Sequence, residues 1–260
     1  MLLLTTRRVG WSAALLVALF VSEISVGHAG STPRSLFSVT GEPPEGFASN
    51  GELGLSVLTG NTKSGLFRLS DLASYRFTEE TVQLQGSYLK SKANGTQNAM
   101  QWSLGARYER RLMRRLGGFL GQFVESDRFA GYRQRYASDA GLRRTLWSGD
   151  RSQGAGESGI RFQRENRTSN ERLDSLLARF YFESSFRIRT DLTALYTLEL
   201  LPSLRVARDW MLNTDLAIQS AISERFALKT AYGIRYDNLP AGPTIKQLDT
   251  TLSTSLVAKF

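Results

Sequence analysis

Residues 248–260 read LDTTLSTSLVAKF, and the chain stops on Phe260. Apolar or lipid-tolerant groups take every second position: Leu248, Thr250, Leu252, Thr254, Leu256, Ala258 and Phe260. That is the two-residue period of a β-strand, carried to the terminal carboxylate. An alternating segment that ends on an aromatic predicts the closing strand of a bacterial outer-membrane β-barrel. Phe260 is then the barrel-closing signal, and the C-terminal strand is the segment offered to the barrel-assembly machinery.

The same alternation recurs upstream. Segments of ten to fourteen residues followed by a polar break cover 51–60, 64–77, 81–91, 98–110, 116–127, 134–147, 154–165, 173–186, 191–201, 209–221, 226–237 and 247–260. A tilted transmembrane strand needs ~9–11 residues, and an even strand count suits a single-chain bacterial barrel. The breaks alternate in kind. Short or strongly charged ones (78–80, 110–115, 187–190, 223–225) alternate with Asn-, Gly- or Pro-containing ones (60–62, 93–96, 128–133, 166–172, 202–208, 238–246). Periplasmic turns are short and outer loops are longer, so both termini are expected in the periplasm. The break at 148–153 is long for a periplasmic turn. The fold expected is all-β: a closed antiparallel transmembrane barrel of twelve strands over residues 50–260.

The two faces of each segment differ in chemistry. In the fourth, Met100, Trp102, Leu104, Ala106 and Tyr108 oppose Gln101, Ser103, Gly105, Arg107 and Glu109. Arg107, Glu109, Asp139, Arg143, Glu157, Arg161, Arg179, Glu183, Asp215 and Arg235 share the polar face. A soluble barrel could not bury that many ions without a large desolvation cost, whereas a hydrated lumen could. These ten are the candidate lumen-facing charges. Two segments fit less well. Asp71 falls on the face of Phe67, Leu69, Ala73 and Tyr75, where a charge near midplane costs about 2–4 kcal/mol for Arg or Lys and less for Asp; a β-bulge would resolve it. The seventh segment has a thin apolar face, mainly Ile160 and Phe162. Tyr88, Trp102, Tyr108, Tyr136 and Trp210, near strand ends, suit interfacial girdles.

The start of the chain gives an address. Arg7 and Arg8 precede the apolar run 11–21, and Gly27-His28-Ala29 places small residues at a cleavage site. Residues 1–29 are a secretory signal peptide cut after Ala29, and 30–49 a flexible periplasmic segment rich in Gly, Pro and Ser. Cleavage removes the only His of a chain that has no Cys. Disulfides, thiolate zinc sites, Cys nucleophiles and Ser-His-Asp arrangements are thereby excluded. No cofactor or metal site is expected, and the chain is not read as an enzyme. The net charge of +9 suits anionic lipid; nucleic acid is not an expected partner for an exported chain. Lys90, Lys92, Arg128, Arg133, Arg135, Arg167 and Arg172 are outer-loop cations suited to lipopolysaccharide phosphates. Arg110, Arg111, Arg114 and Arg115 are either contacts for lipid head groups or a solvated turn. Residues 154–159 match GxGxxG, yet lack the preceding strand and following helix of a dinucleotide site; glycines there relieve crowding inside a narrow barrel. Asn94-Gly95 is a hairpin signal.

Three stretches together resemble one family: Gly51-Glu52-Leu53-Gly54 with Thr59-Gly60-Asn61-Thr62; Asp127-Arg128-Phe129-Ala130-Gly131-Tyr132-Arg133; and Tyr236-Asp237-Asn238 through Asp249-Thr250-Thr251 to Phe260. The combination resembles the salt-induced outer-membrane proteins, a family of unknown function. The resemblance implies an outer-membrane β-barrel linked to envelope stress, with no catalytic residues to carry over. The motif of Asp127, Arg128, Phe129, Gly131, Tyr132 and Arg133 reads physically as a rigid outer turn, with Gly131 free to take positive φ and Asp127 placed to pair with Arg133. The function expected is a narrow pore for ions or small solutes, or a structural envelope protein. The alternatives are an outer-membrane enzyme without a His-dependent site and a lipopolysaccharide-binding surface module.

Overall fold

A computed structural model of the chain describes residues 43–58, 64–242 and 245–260. The signal peptide, most of the segment 30–49 and the 60–62 turn lie outside the described residues. The strands are β1 (Gly46–Leu58), β2 (Ser64–Arg76), β3 (Glu80–Ala93), β4 (Thr96–Met113), β5 (Leu116–Asp127), β6 (Tyr132–Ser148), β7 (Ser152–Arg167), β8 (Arg172–Arg189), β9 (Leu192–Pro202), β10 (Trp210–Ala221), β11 (Phe226–Asp237) and β12 (Leu248–Lys259). Each pairs antiparallel with its successor, and β12 returns to β1, closing the barrel. The seam is short: Asn50, Gly51, Glu52 and Leu53 face Lys259, Ala258, Val257 and Leu256. Ser49 and Phe260 extend it by exchanging two backbone hydrogen bonds of 2.9 Å.

Alternation decides which side of the wall each residue meets. In β12, Leu248, Leu252, Thr254 and Leu256 are exposed, while Asp249, Ser255 and Val257 are buried. A soluble sheet buries its apolar face; here the buried face carries the ions and the exposed face the aliphatics. Leu69, Leu84, Leu104, Leu120, Ile160, Phe180 and Leu216 continue that exposed belt around the barrel. Aromatic pairs mark its two borders on the outer face. Trp147 meets Phe182 (5.9 Å between centroids) and Phe182 meets Tyr196 (6.2 Å) toward the end that carries the termini. Phe67 with Tyr88 (6.2 Å) and Trp210 with Tyr236 (4.9 Å) lie toward the loop end.

Several boundaries differ from those expected. β1 begins at Gly46, so residues 46–49 are strand: Phe47 pairs with Tyr75, and Ser49 with the chain end. β4 runs on to Met113, leaving only Arg114-Arg115 as the turn and Arg110 and Arg111 in the ladder. The break at 148–153 shrinks to residues 149–151, closed by Gly149 N–H to Ser152 O at 2.9 Å. No bulge rescues Asp71. The register of β2 with β1 and β3 is unbroken, Asp71 stays exposed, and it accepts a 2.8 Å hydrogen bond from Ser49 Oγ on the neighbouring strand. The thin seventh strand is covered by its neighbour. A Cβ at Gly154 would collide with the Trp147 ring, and one at Gly156 would touch Leu146 Cδ1 at 3.6 Å. Those two glycines therefore sit on the outer face, not inside as expected. Gly159 and Gly141, paired across β6 and β7, let the two backbones approach closely: a Cβ at Gly159 would collide with Ala140 O, and one at Gly141 would stand 2.5 Å from Ser158 O and 2.9 Å from Phe119 Cζ. Asn94 (φ 50°) and Gly95 (φ 82°) form the predicted tight hairpin.

Candidate site: the lumen ion network and its cavities

The β6–β7 hairpin writes the centre of the lumen. Its register pairs Arg135 with Glu165, Asp139 with Arg161 and Arg143 with Glu157. Inward positions recur every second residue, so a four-residue spacing on both strands stacks three ion pairs of alternating polarity on one face. Neighbouring strands then add partners. Glu157 accepts from Arg107 at 2.8 and 3.1 Å, from Arg143 at 2.8 Å and from Arg179 at 2.6 Å. Arg143 also bonds Glu183 and lies 3.8 Å from Glu109, which Arg107 reaches at 3.0 Å. Arg161 holds Asp139 through two bonds of 2.7 Å and Glu199 at 3.1 Å. Arg179 bonds Glu199 at 2.8 Å and approaches Asp139 at 3.4 Å. Phe119 lies beneath the Arg107 guanidinium, 4.0 Å from its ring centroid. Eight of the ten candidate charges thus form one network. Arg161 and Arg179 are 0% and 1% exposed, so this half of the lumen is packed rather than water-filled.

The remaining two candidates stand apart. Arg235 lies along the wall, bonding Asp215 at 2.9 and 2.7 Å and the carbonyls of Thr214 and Ile234 at 2.9 and 2.7 Å. Gly233 makes this possible, since a Cβ there would stand 2.6 Å from Asp215 Oδ1. Beside this pair a well of about 600 Å³ opens toward the terminal end; Ser74, Glu199, Asn213, Asp215, Ala231 and Arg235 line it. Arg235 also borders a pocket of about 10 Å³ on its other side, under Pro240, Ala241, Ile245, Lys246 and Gln247. A second cavity of about 580 Å³ lies at the terminal end against the ion network, lined by Glu109, Arg143 and Glu183 among others.

A model for the family described as protein of unknown function, DUF481, matches residues 51–260. The chain belongs to the DUF481 family. Among solved structures, this DUF481 chain is similar to an outer membrane channel from Pseudomonas putida F1, with TM-score 0.55, 11% identity, 85% of this chain and 98% of that one covered. It is also similar to the NanC porin, with TM-score 0.51, 12% identity, 82% and 98% covered. At such identities the likeness is one of fold. No curated protein matches the chain.

The DUF481 chain also carries an inner cluster at the loop end that the sequence reading missed. The sequence predicts Arg135 on an outer loop, where it would meet phosphates. It is buried instead, bonding Glu165 at 2.9 and 2.6 Å and Glu125 at 3.1 Å, with its guanidinium 3.9 Å from the Tyr132 centroid. Tyr132 donates its hydroxyl to Glu125 at 3.0 Å, and Arg167 bonds Glu165 at 2.9 Å. Glu199 and Asn213, joined at 3.0 Å, were missed as well. The parity set by Asp139 and Arg143 points Arg135 inward, and that was the available signal. Asp127 does not pair with Arg133, which is exposed. Its carboxylate instead closes the turn on the Phe129 and Ala130 amides at 3.0 Å each and accepts from Gln101 at 3.0 Å. Gly131 (φ 89°) presses under the last loop, where a Cβ would lie 2.5 Å from Ile245 Cδ1 and 2.9 Å from Ala241 Cβ. Arg128 is exposed at the tip, and Phe129 is half-buried. Among the described residues no group of His, Cys, Asp or Glu is arranged to hold a metal.

Proposed function

We propose that this barrel is a narrow outer-membrane pore for ions or small solutes, with its termini in the periplasm and its path off the barrel axis. The observation that carries the reading is the position of Arg235. It ends the well of about 600 Å³ on one side and borders the small pocket beneath the last loop on the other. In the arginine–carboxylate half the comparable space, about 580 Å³, lies at the terminal end against the network, and no residue of the loop end lines it. Mechanistically the path is passive: solute and water enter the well, and the Arg235–Asp215 pair with Pro240, Ala241 and Ile245 forms the constriction. Catalysis is not part of the reading, because the carboxylates of the central network are each tied to arginine and none is left as a base. Export through a signal peptide cleaved after Ala29, assembly through the strand ending at Phe260, and contact of Arg128, Arg133 and Lys92 with lipopolysaccharide phosphates complete the proposal. Single-channel recording in planar bilayers tests it. The wild type is expected to conduct weakly, and Arg235→Ala, or deletion of 240–246, to raise conductance severalfold. Silence in all three leaves the second reading, a structural envelope protein with a role under stress, which the packing of the ion network favours.

A further inference from the structure

We propose that the cavity of about 580 Å³ at the terminal end is a binding recess for a small soluble anion carrying two or more charges, of the pyrophosphate or polycarboxylate class. The recess is blind. Its floor is the Arg143–Glu183–Glu109 cluster of the ion network, and no residue of the loop end lines it. A blind recess beside a pore does not add to the path, so its chemistry points to retention. Five arginines line it, Arg76, Arg111, Arg114, Arg115 and Arg143, against three carboxylates, Glu79, Glu109 and Glu183. Arg143 is committed to the floor, where it bonds Glu183 and Glu157 and lies 3.8 Å from Glu109. The excess positive charge therefore sits at the rim, on the β4–β5 turn, where Arg114 and Arg115 are exposed. The neighbouring well holds Glu52, Asp71, Asp150, Glu199 and Asp215 against Arg151, Arg187, Lys229, Arg235 and Lys259 and is balanced. The positive excess is thus a property of this recess and not of the whole mouth.

Size and donor type narrow the occupant. Pockets of ~300–1,000 Å³ hold single small molecules. Guanidinium groups present paired N–H donors that match carboxylate and phosphate oxygens two at a time. Arg76 shows that this rim is ordered: it donates to the carbonyl of Pro43 at 2.8 Å, which fixes buried Pro43 between the two cavities. A lipid phosphate is the less fitting source of the same chemistry. Its walls include the inward side chains Gln83, Glu109, Thr145 and Ala155, with Trp147 and Gly154 of the outer face at its border, so most of the recess faces the barrel mouth.

Isothermal titration of inorganic pyrophosphate into the full folded barrel in zwitterionic detergent tests the proposal independently of conduction. Saturable binding is expected, weakened about tenfold or more in the Arg114→Gln/Arg115→Gln double variant. Arg128→Gln/Arg133→Gln at the loop end is expected to leave it unchanged. Heat-modifiable gel migration checks that all forms are folded. Absence of binding by the wild type, equal weakening by both double variants, or an unchanged affinity in Arg114→Gln/Arg115→Gln overturns the proposal. So does loss of binding in nanodiscs of anionic lipid with binding kept in phosphatidylcholine discs, since the site would then belong to a lipid head group. A barrel that never conducts yet binds pyrophosphate in this pattern loses the pore reading and keeps the recess.

Discussion

Replacing Glu157 with Gln removes one negative charge from a point where three guanidinium groups converge. Arg107, Arg143 and Arg179 direct four hydrogen bonds of 2.6–3.1 Å at its two oxygens. Glutamine keeps the shape but offers one carbonyl oxygen, and its NH₂ faces N–H donors. The carboxylates of Glu109, Glu183, Asp139 and Glu199 still neutralise part of the cluster. Removing one partner of a buried ion pair costs ~3–5 kcal/mol; with three cations left crowded, the upper part of that range, ~5 kcal/mol, is expected. Urea unfolding of the detergent-solubilised barrel, followed by gel mobility, measures it. Pairing the change with Arg107→Gln removes one of the stranded cations and should recover a part of the loss, giving a coupling energy of about 1–3 kcal/mol. A Glu157→Gln barrel within about 1 kcal/mol of the wild type would mean that water solvates these charges, and the packed half of the lumen would have to be abandoned.

Four further outcomes follow from the geometry. Gly131→Val forces a Cβ into Ile245 and Ala241 at a positive φ, so residues 238–247 should become cleavable by protease while the barrel keeps its heat-modifiable migration. Deleting Phe260 removes both hydrogen bonds with Ser49 from a seam of four other residue pairs; the folded fraction in detergent refolding should fall severalfold. In loop 203–209, burial, and then the charges of Asp237 and Glu165, push the Asp209 carboxyl above its ordinary value. A proton is then held more tightly in the ordered loop, so loop stability falls as pH rises from about 4, the ordinary carboxylate value, through the raised one; hydrogen exchange should show this, and Asp209→Asn should abolish it. Ala231→Trp fills the well and should silence conductance with the fold intact, whereas undiminished current would place the path elsewhere.

Much of the wall was legible because lipid and lumen impose opposite demands on alternate residues. β5 and β11 begin and end where the alternation does. Strand ends were less legible: Arg110 and Arg111 look like turn residues, yet they pair with Gly118 and Gly117, and only Leu112 is skipped, in a bulge, before Met113 meets Leu116. Asp71 violated the pattern, and only its cross-strand neighbour Ser49 explains it. Inside the barrel, in-register pairs such as Asp139–Arg161 were within reach, since the three β6–β7 pairs are all centred on residue 150. The links from Arg179 to Glu157 and Glu199, or from Arg143 to Glu183, were not. They depend on how neighbouring strands are staggered, a property of barrel closure that no single segment encodes.

The two halves of the lumen differ because their inward side chains differ in size. β4 to β8 supply Arg107, Phe119, Phe123, Arg143, Arg161 and Arg179; β10 to β12 with β2 supply Ser74, Ala217, Ala231, Gly233 and Ser255, and their long cations Lys229 and Arg235 are held by Glu52 and Asp215. Five of the six large residues on the first side are buried, and the sixth, Arg143, is nearly so. Long cations can fill space only where carboxylates meet them, so the acidic partners Glu157, Asp139 and Glu183 concentrate on the same strands. Small inward residues on the other side leave a void that hydration, not packing, must fill. The off-axis well is therefore a consequence of where bulk and charge were placed together. On the proposed pore reading, stability and permeation fall to opposite walls, with Glu199 and Asn213 at their border. Substitutions in the first wall should register in unfolding and those in the second in conductance, and it is this separation that ties the pore reading to the ion network.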